Sequence, residues 1–229
     1  NIVTKKPFDV FRGEIGYSFG SWGLNRVTAD INTPLNEDKT ALLRVNAAVA
    51  RQQSFQQSGH NNVYAFDPSF MYKASDKLTL SVDMEIYGEN LMRVPFLNFS
   101  RLSVTNLNQV PVGYKQTFYD DSYNAVTNTL NTYLRARYQV SKNWVSQTDI
   151  SISNENVNHS YQAYPTFLDA THIQRGITLF GPITETGTDI QHNLQGDFKI
   201  GSVRNRLVWG VDYFNSTNKF DYASATLDT

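Results

Sequence analysis

Four histidines, at positions 60, 159, 172 and 192, are the first residues to test for chemistry. No two of them stand at i,i+2 or i,i+4 spacing beside a third ligand, so they do not make a metal cage. The 229 residues include no cysteine, which excludes disulfide frameworks, Cys–zinc sites, iron–sulfur clusters and thiol nucleophiles. G-x-S-x-G, G-x-x-x-x-G-K-[ST] and G-x-G-x-x-G are all absent. Asp83/Glu85 and Arg135/Arg137 are spaced to share one face of a strand. Paired carboxylates could serve acid–base catalysis, but charges lining a wet surface have the same spacing, and that reading is the stronger. Nothing here reads as an enzyme. What remains is aromatic. Region 89–129 holds Arg93, Phe96, Phe99, Tyr114, Phe118, Tyr119 and Tyr123, and region 155–188 holds His159, Tyr161, Tyr164, Phe167 and Arg175. Rings with a few cations suit a bulky, often anionic or amide-rich ligand; the competing reading is packing that keeps loops ordered. The ligand-contact expectation is Arg93, Phe96, Phe99, Tyr114, Tyr119, Tyr123, His159, Tyr161 and Tyr164.

The elements that must position these residues are strands. Period-2 alternation dominates, in nine runs near 8–19, 22–34, 41–52, 63–74, 77–88, 130–140, 144–154, 189–201 and 205–216. The cleanest presents Leu78, Leu80, Val82, Met84 and Ile86 on one face. Across all nine, that face carries no Asp, Glu, Lys or Arg, whereas the other carries Glu14, Asp30, Arg44, Asp83, Arg135 and Asp149 among its charges. Short polar turns (36–40, 75–77, 141–143, 201–205) alternate with connections that are longer or variable, so every short turn falls at one edge of the sheet. The charges nearly cancel, 21 acidic against 20 basic, which argues against a nucleic-acid binder. No run approaches the ~18 apolar residues of a transmembrane helix.

Alternation alone fits a β-sandwich as well as a membrane barrel. Three features favour the barrel. A lipid band ~25 Å tall, crossed by strands tilted ~40°, needs roughly ten residues per strand, and the runs are about that long, whereas ordinary strands have ~5–6. Aromatics such as Phe19, Trp22, Tyr72, Tyr138 and Trp144 stand near run ends, where interfacial girdles belong. Nine strands in a simple meander are also uncommon in sandwiches, where Greek-key crossings prevail.

Asn1-Ile2-Val3-Thr4-Lys5-Lys6-Pro7 resembles the junction between plug and barrel in TonB-dependent siderophore receptors. The hairpin containing Gly13–Ser21 and Arg26–Leu35 is similar to that family's first, with Asn32-Thr33 where the family usually has a D-x-x-G-P-L ending. Leu207–Tyr213 resembles its recurring L-x-x-G-x-[DE]-[YF] strand. The resemblance implies an all-β fold: an antiparallel up-and-down transmembrane β-barrel segment, about nine strands of a probable 22. Residues 1–7 would end the plug and 8–229 form partial barrel, with long external loops near 89–129 and 155–188. It further implies location in the bacterial outer membrane, capture and import of a ferric siderophore, partnership with TonB through the missing plug, contact with outer-membrane lipid, and no cofactor beyond the chelated iron. The alternatives are a soluble β-sandwich that binds glycans and a passive porin.

Overall fold

The computed structural model describes residues 4–92, 95–99, 112–169 and 172–228. The strands are β1 (Arg12–Gly20), β2 (Leu24–Pro34), β3 (Ala41–Gln53), β4 (His60–Lys73), β5 (Leu78–Leu91), β6 (Asn98–Phe99), β7 (Ala125–Ser141), β8 (Trp144–Phe167), β9 (Ile173–Ile200) and β10 (Val203–Asp228). Nine of them form one sheet in the order β1-β2-β3-β4-β5-β7-β8-β9-β10, each antiparallel to the next, and β6 adds a short parallel pair to β8. No second sheet stands against it among the described residues, which removes the sandwich.

The register keeps the two faces apart. Val82, Leu134, Ile150, Ile190 and Tyr213 lie in one cross-strand row, and Ser81, Arg135, Asp149, Gln191 and Asp212 lie in the adjacent row. A slip of one residue would exchange these rows between faces. The apolar face has no protein cover: Ile15 is 79% and Phe19 80% exposed. Such a surface is stable only against an apolar medium. Glycines let rings lie flat across the strands. A Cβ at Gly88 would come within 2.1 Å of the Tyr64 ring, and one at Gly196 within 2.8 Å of Trp144.

On the polar face several of the charges are partnered. Arg44 makes a two-pronged contact with Asp30 at 2.9 and 2.7 Å. The Tyr133 hydroxyl and the Asn131 amide each donate to Glu85 at 3.1 Å, and Arg135 donates to Asp149 at 2.5 Å. Asp83 accepts from Ser69 and pairs with Lys6. Asp83/Glu85 and Arg135/Arg137 therefore belong to the wall of a wet face.

Several boundaries differ from the sequence reading, among them that of β10, which runs to Asp228 instead of 216. The first strand starts at Arg12 instead of residue 8, because residues 4–11 leave the sheet. Asn32, 1% exposed, accepts from the Phe8 N–H at 3.0 Å, and its amide donates to the carbonyls of Phe8 and Val10 at 2.8 and 2.6 Å. Region 155–188 is not a loop: β8 and β9 run through it, leaving only 168–172 as the turn. Alternation marks a strand only while one face meets lipid. Beyond the membrane both faces are wet or covered by loop, so the pattern fades while the hydrogen-bond ladder continues. For the same reason the 89–129 connection shortens to 92–124.

Candidate functional site

The turns at 35–40, 74–77, 142–143 and 201–202 lie at one end of the strands, and β8, β9 and β10 project far beyond β7 at the other. Because β7 begins at Ala125, opposite Ser160, the β7-side edge of β8 is open beyond that point. An open edge invites stray pairing, and the β5–β7 connection covers it. The Tyr161 N–H donates to Asn124 O at 3.0 Å, the Phe96 N–H to Ala163 O at 3.1 Å, and β6 pairs with Thr166–Phe167.

An aromatic chain fills the space beneath this cover. Tyr119 and Tyr123 meet edge to face with centroids 5.4 Å apart, Tyr123 and Tyr161 at 5.7 Å, and His159 lies 5.6 Å from Tyr161. Tyr119 is 4% exposed and packs with Met92, Ala163 and Ile177. Its hydroxyl donates to Gly176 O at 2.8 Å, and Tyr164 donates to Ile177 O at 3.1 Å. A ring nitrogen of His159 lies 2.7 Å from the Asn124 amide oxygen. Arg175 reaches from β9 to Phe118 O at 3.0 Å and to Asp228 at 2.7 Å, and Phe118 meets Phe167 edge to face at 6.3 Å.

The structure thus brings together Tyr119, Tyr123, His159 and Tyr161, with Tyr164 nearby on β8. Phe96 stands exposed at the covered edge. Tyr114 is 83% exposed and belongs to a second patch, 5.1 Å from Phe55, which in turn meets Trp22 at 6.2 Å. Arg93 and the side chain of Phe99 lie outside the described residues. Three connections build the second patch. The Gln57 N–H donates to Lys115 O at 2.8 Å, and the Gly59 N–H donates to Asp121 at 2.7 Å. His60 lies 2.7 Å from the Asn90 amide oxygen and 3.5 Å from Asp121.

Sequence reasoning missed Trp22 and Phe55 as rim residues. The signal for Trp22 was its place before Gly23 in a tight hairpin turn. It adopts φ 56°, ψ 40°, a left-handed conformation that ordinarily selects Gly, Asn or Asp. Among the described residues no three metal-binding side chains converge.

Burial pushes the Tyr119 hydroxyl up to about 12, with its hydrogen bond to Gly176 and the nearby Arg175 guanidinium working against the rise. The fold therefore favours the neutral phenol over an ordinary tyrosine, which ionises near 10. This contribution to rim stability is complete below pH 10 and is lost as pH climbs from 10 towards 12. A tyrosinate absorbance titration is expected to show a late-ionising component, and Tyr119→Phe should diminish it.

No protein-family model matches the chain. It is 26% identical over 221 residues to the metal-pseudopaline receptor CntO of Pseudomonas aeruginosa, covering 93% of this chain and 30% of that protein. A second strain's receptor of the same name is 25% identical over the same length. The chain spans under a third of these relatives. Its fold superposes on the ferric preacinetobactin receptor BauA of Acinetobacter baumannii with a TM-score of 0.79, at 15% identity, covering 96% of this chain and 32% of that one. The pyoverdine outer-membrane receptor FpvA of Pseudomonas aeruginosa gives 0.81 at 16% identity, covering 95% and 32%. The ferric-catecholate import receptor Fiu of E. coli gives 0.77 at 15%, covering 95% and 33%. An open sheet with a lipid-compatible face and one raised, aromatic rim is shared along nearly its whole length with such receptors, so the chain has the fold of a stretch of their barrel wall.

Proposed function

We propose that this segment belongs to a receptor that captures an iron–siderophore complex at the cell surface and imports it with energy delivered through TonB. The observation that carries the reading is the one-sided rim: long hairpins and two aromatic patches at one end of a wall whose other end has only tight turns. Phe96 and Tyr114, with Arg93 and Phe99, are the proposed direct contacts. Buried Tyr119 holds the rim in shape, and half-buried Tyr123, Tyr161, Tyr164 and His159 offer ring edges to the chelate. The named relatives support a chelated metal as cargo. Lipid contacts the apolar face. No bond is made or broken in the cargo, so no catalytic residue or resident cofactor is assigned.

The test is uptake by cells expressing the full-length receptor in a strain lacking its own. Radiolabelled ferric siderophores of catecholate, hydroxamate and mixed type would be offered beside nickel and zinc chelates, with and without TonB. TonB-dependent accumulation of a ferric chelate is expected. Accumulation of a nickel or zinc chelate alone would replace iron as the cargo. TonB-independent leakage of small solutes alone would leave a porin.

A further inference from the structure

On the lipid side of the wall, the alternate positions of β2–β5 and β7 hold no Asp, Glu or Lys and a single Arg. That residue is Arg51. The apolar series of β3 ends at Val49, and Arg51 follows on the same side, at a position the alternating series of the sequence reading did not reach. The register sets Asn25, Arg51, Asn62 and Asn90 in one cross-strand row. The row beneath it on the same side is Val27, Val49, Tyr64, Gly88 and Asn128. The height of Arg51 in the membrane follows from the strand. Asn90, in its row, stands eight positions beyond Val82, which shares the mid-membrane row of Leu134. At ~3.3 Å per residue and a tilt of ~40°, that is about 20 Å from the midplane. A bilayer with a hydrocarbon core of ~30 Å and a full thickness of ~40–45 Å has its headgroups at that height.

The two rows enclose a depression of about 210 Å³ whose lining includes Val49, Arg51, Asn62, Tyr64, Asn90 and Asn128. Glu89 alternates with these residues along β5 and belongs to the polar face. The polar atoms of the depression are turned one way. The Tyr64 hydroxyl donates to the Asn128 amide oxygen at 3.1 Å, and a His60 ring nitrogen lies 2.7 Å from the Asn90 amide oxygen. Both amides thus have the oxygen engaged and the NH₂ left to donate. Arg51 and Asn62 make no hydrogen bond or ion pair among the described residues. Asp121, on the connection above, is engaged by the Gly59 N–H and lies 3.5 Å from His60. What the depression offers is a guanidinium fork and amide donors with no carboxylate among them, the complement of a phosphate.

We propose that this depression binds the phosphate of a lipid headgroup in the outer leaflet, with Arg51 and the amides of Asn62, Asn90 and Asn128 as its donors. Cargo passing through the lumen meets the opposite face of the wall, so the site is independent of what the receptor imports. A lipid phosphate arrives with acyl chains, and the next row towards the midplane, Ala47, Phe66, Ile86 and Leu130, gives those chains an apolar surface. Free phosphate gains nothing from that row. Arginine suits the position because its long stem lies along apolar surface while its head reaches the polar layer, and its planar fork meets two phosphate oxygens at once.

The test uses the full-length receptor, purified from outer membranes and stripped of lipid in mild detergent. It is titrated with bis-phosphorylated lipid A, with the same lipid after enzymatic dephosphorylation, and with inorganic phosphate, and native mass spectrometry counts the lipid bound to each barrel. Binding of the phosphorylated lipid is expected, about tenfold weaker binding of the dephosphorylated one, and no displacement by millimolar inorganic phosphate. Arg51→Gln should weaken binding of the phosphorylated lipid about tenfold, and Arg51→Lys, which keeps the charge and loses the fork, by less. Asn62→Ala leaves the cation in place and should weaken binding several-fold, so it carries the test if Arg51→Gln does not close its barrel. The mobility difference between unheated and boiled samples reports that closure for each variant. Binding equal to that of the parent in both Arg51→Gln and Asn62→Ala, or equal binding of the two lipids, would overturn the site. Displacement of the lipid by inorganic phosphate would overturn the headgroup as occupant and leave a site for the free anion.

Discussion

Leu134→Arg should destabilise the receptor by about 2–4 kcal/mol, the usual cost of a cation facing lipid near the bilayer midplane. Leu134 sits midway along the membrane-crossing part of β7, in the row with Val82, Ile150 and Ile190. Its side chain has no protein layer over it and no acidic neighbour in that row. Gln191→Arg is the matched control. Gln191 lies one row away on the opposite face, paired across strands with Asp149 and Asp212, so an added cation meets water and carboxylates. Its expected effect is within about 0.5 kcal/mol. Denaturant unfolding of the full receptor in lipid vesicles measures both, with the mobility difference between unheated and boiled samples as a second readout. Equal stability of the two variants would mean that the apolar face does not meet lipid.

The same contrast explains what was legible in the sequence. β5 is read closely from Leu78, Leu80, Val82 and Met84 because the bilayer forces an apolar residue at every second position while water forces the opposite on the other face. Where lipid ends, that pressure ends. In the outer half of β8, His159, Tyr161, Tyr164 and Thr166 put polar or amphipathic side chains on both faces, and in that of β9 Arg175, Gly181 and Pro182 interrupt the alternation of Ile177, Leu179 and Ile183; the backbone ladder, seen in pairs such as Gln162 with Thr178, makes them strands. Residues 8–11 read as the start of a strand because Phe11 opens the apolar series that Gly13, Ile15, Tyr17 and Phe19 continue. What removes them is Asn32, from a different strand, through bonds to backbone groups that carry no sequence signature. Aromatic enrichment found the rim but not its grouping: Tyr114 and Tyr119 are five residues apart, yet one stands in solvent beside Phe55 and the other is buried under Ala163. That division is set by which connections cover the open edge of β8, a long-range consequence of strand length.

Tyr119 and Tyr114 therefore separate the two roles an external ring can have. Tyr119→Ala should lower the local stability of the rim by about 3–5 kcal/mol, as for other large buried rings cut back to Ala. It removes the contacts with Met92, Ala163 and Tyr123 and leaves Gly176 O without its donor. Tyr119→Phe keeps the ring and loses only the hydroxyl bond, at about 1 kcal/mol. Tyr114→Ala should change stability by under about 0.5 kcal/mol, since its ring touches only Phe55 among the rings described and is otherwise in solvent. Amide exchange over residues 112–124 reads the stability, and equilibrium binding of the transported chelate reads function. Tyr119→Ala is expected to accelerate exchange and weaken binding together, and Tyr119→Phe to move both slightly in the same sense. Tyr114→Ala is expected to weaken binding several-fold with exchange unchanged. If Tyr114→Ala leaves binding intact while Tyr119→Phe abolishes it without faster exchange, the roles are reversed: the chelate would reach the buried phenol, and the exposed patch would serve the membrane surface alone.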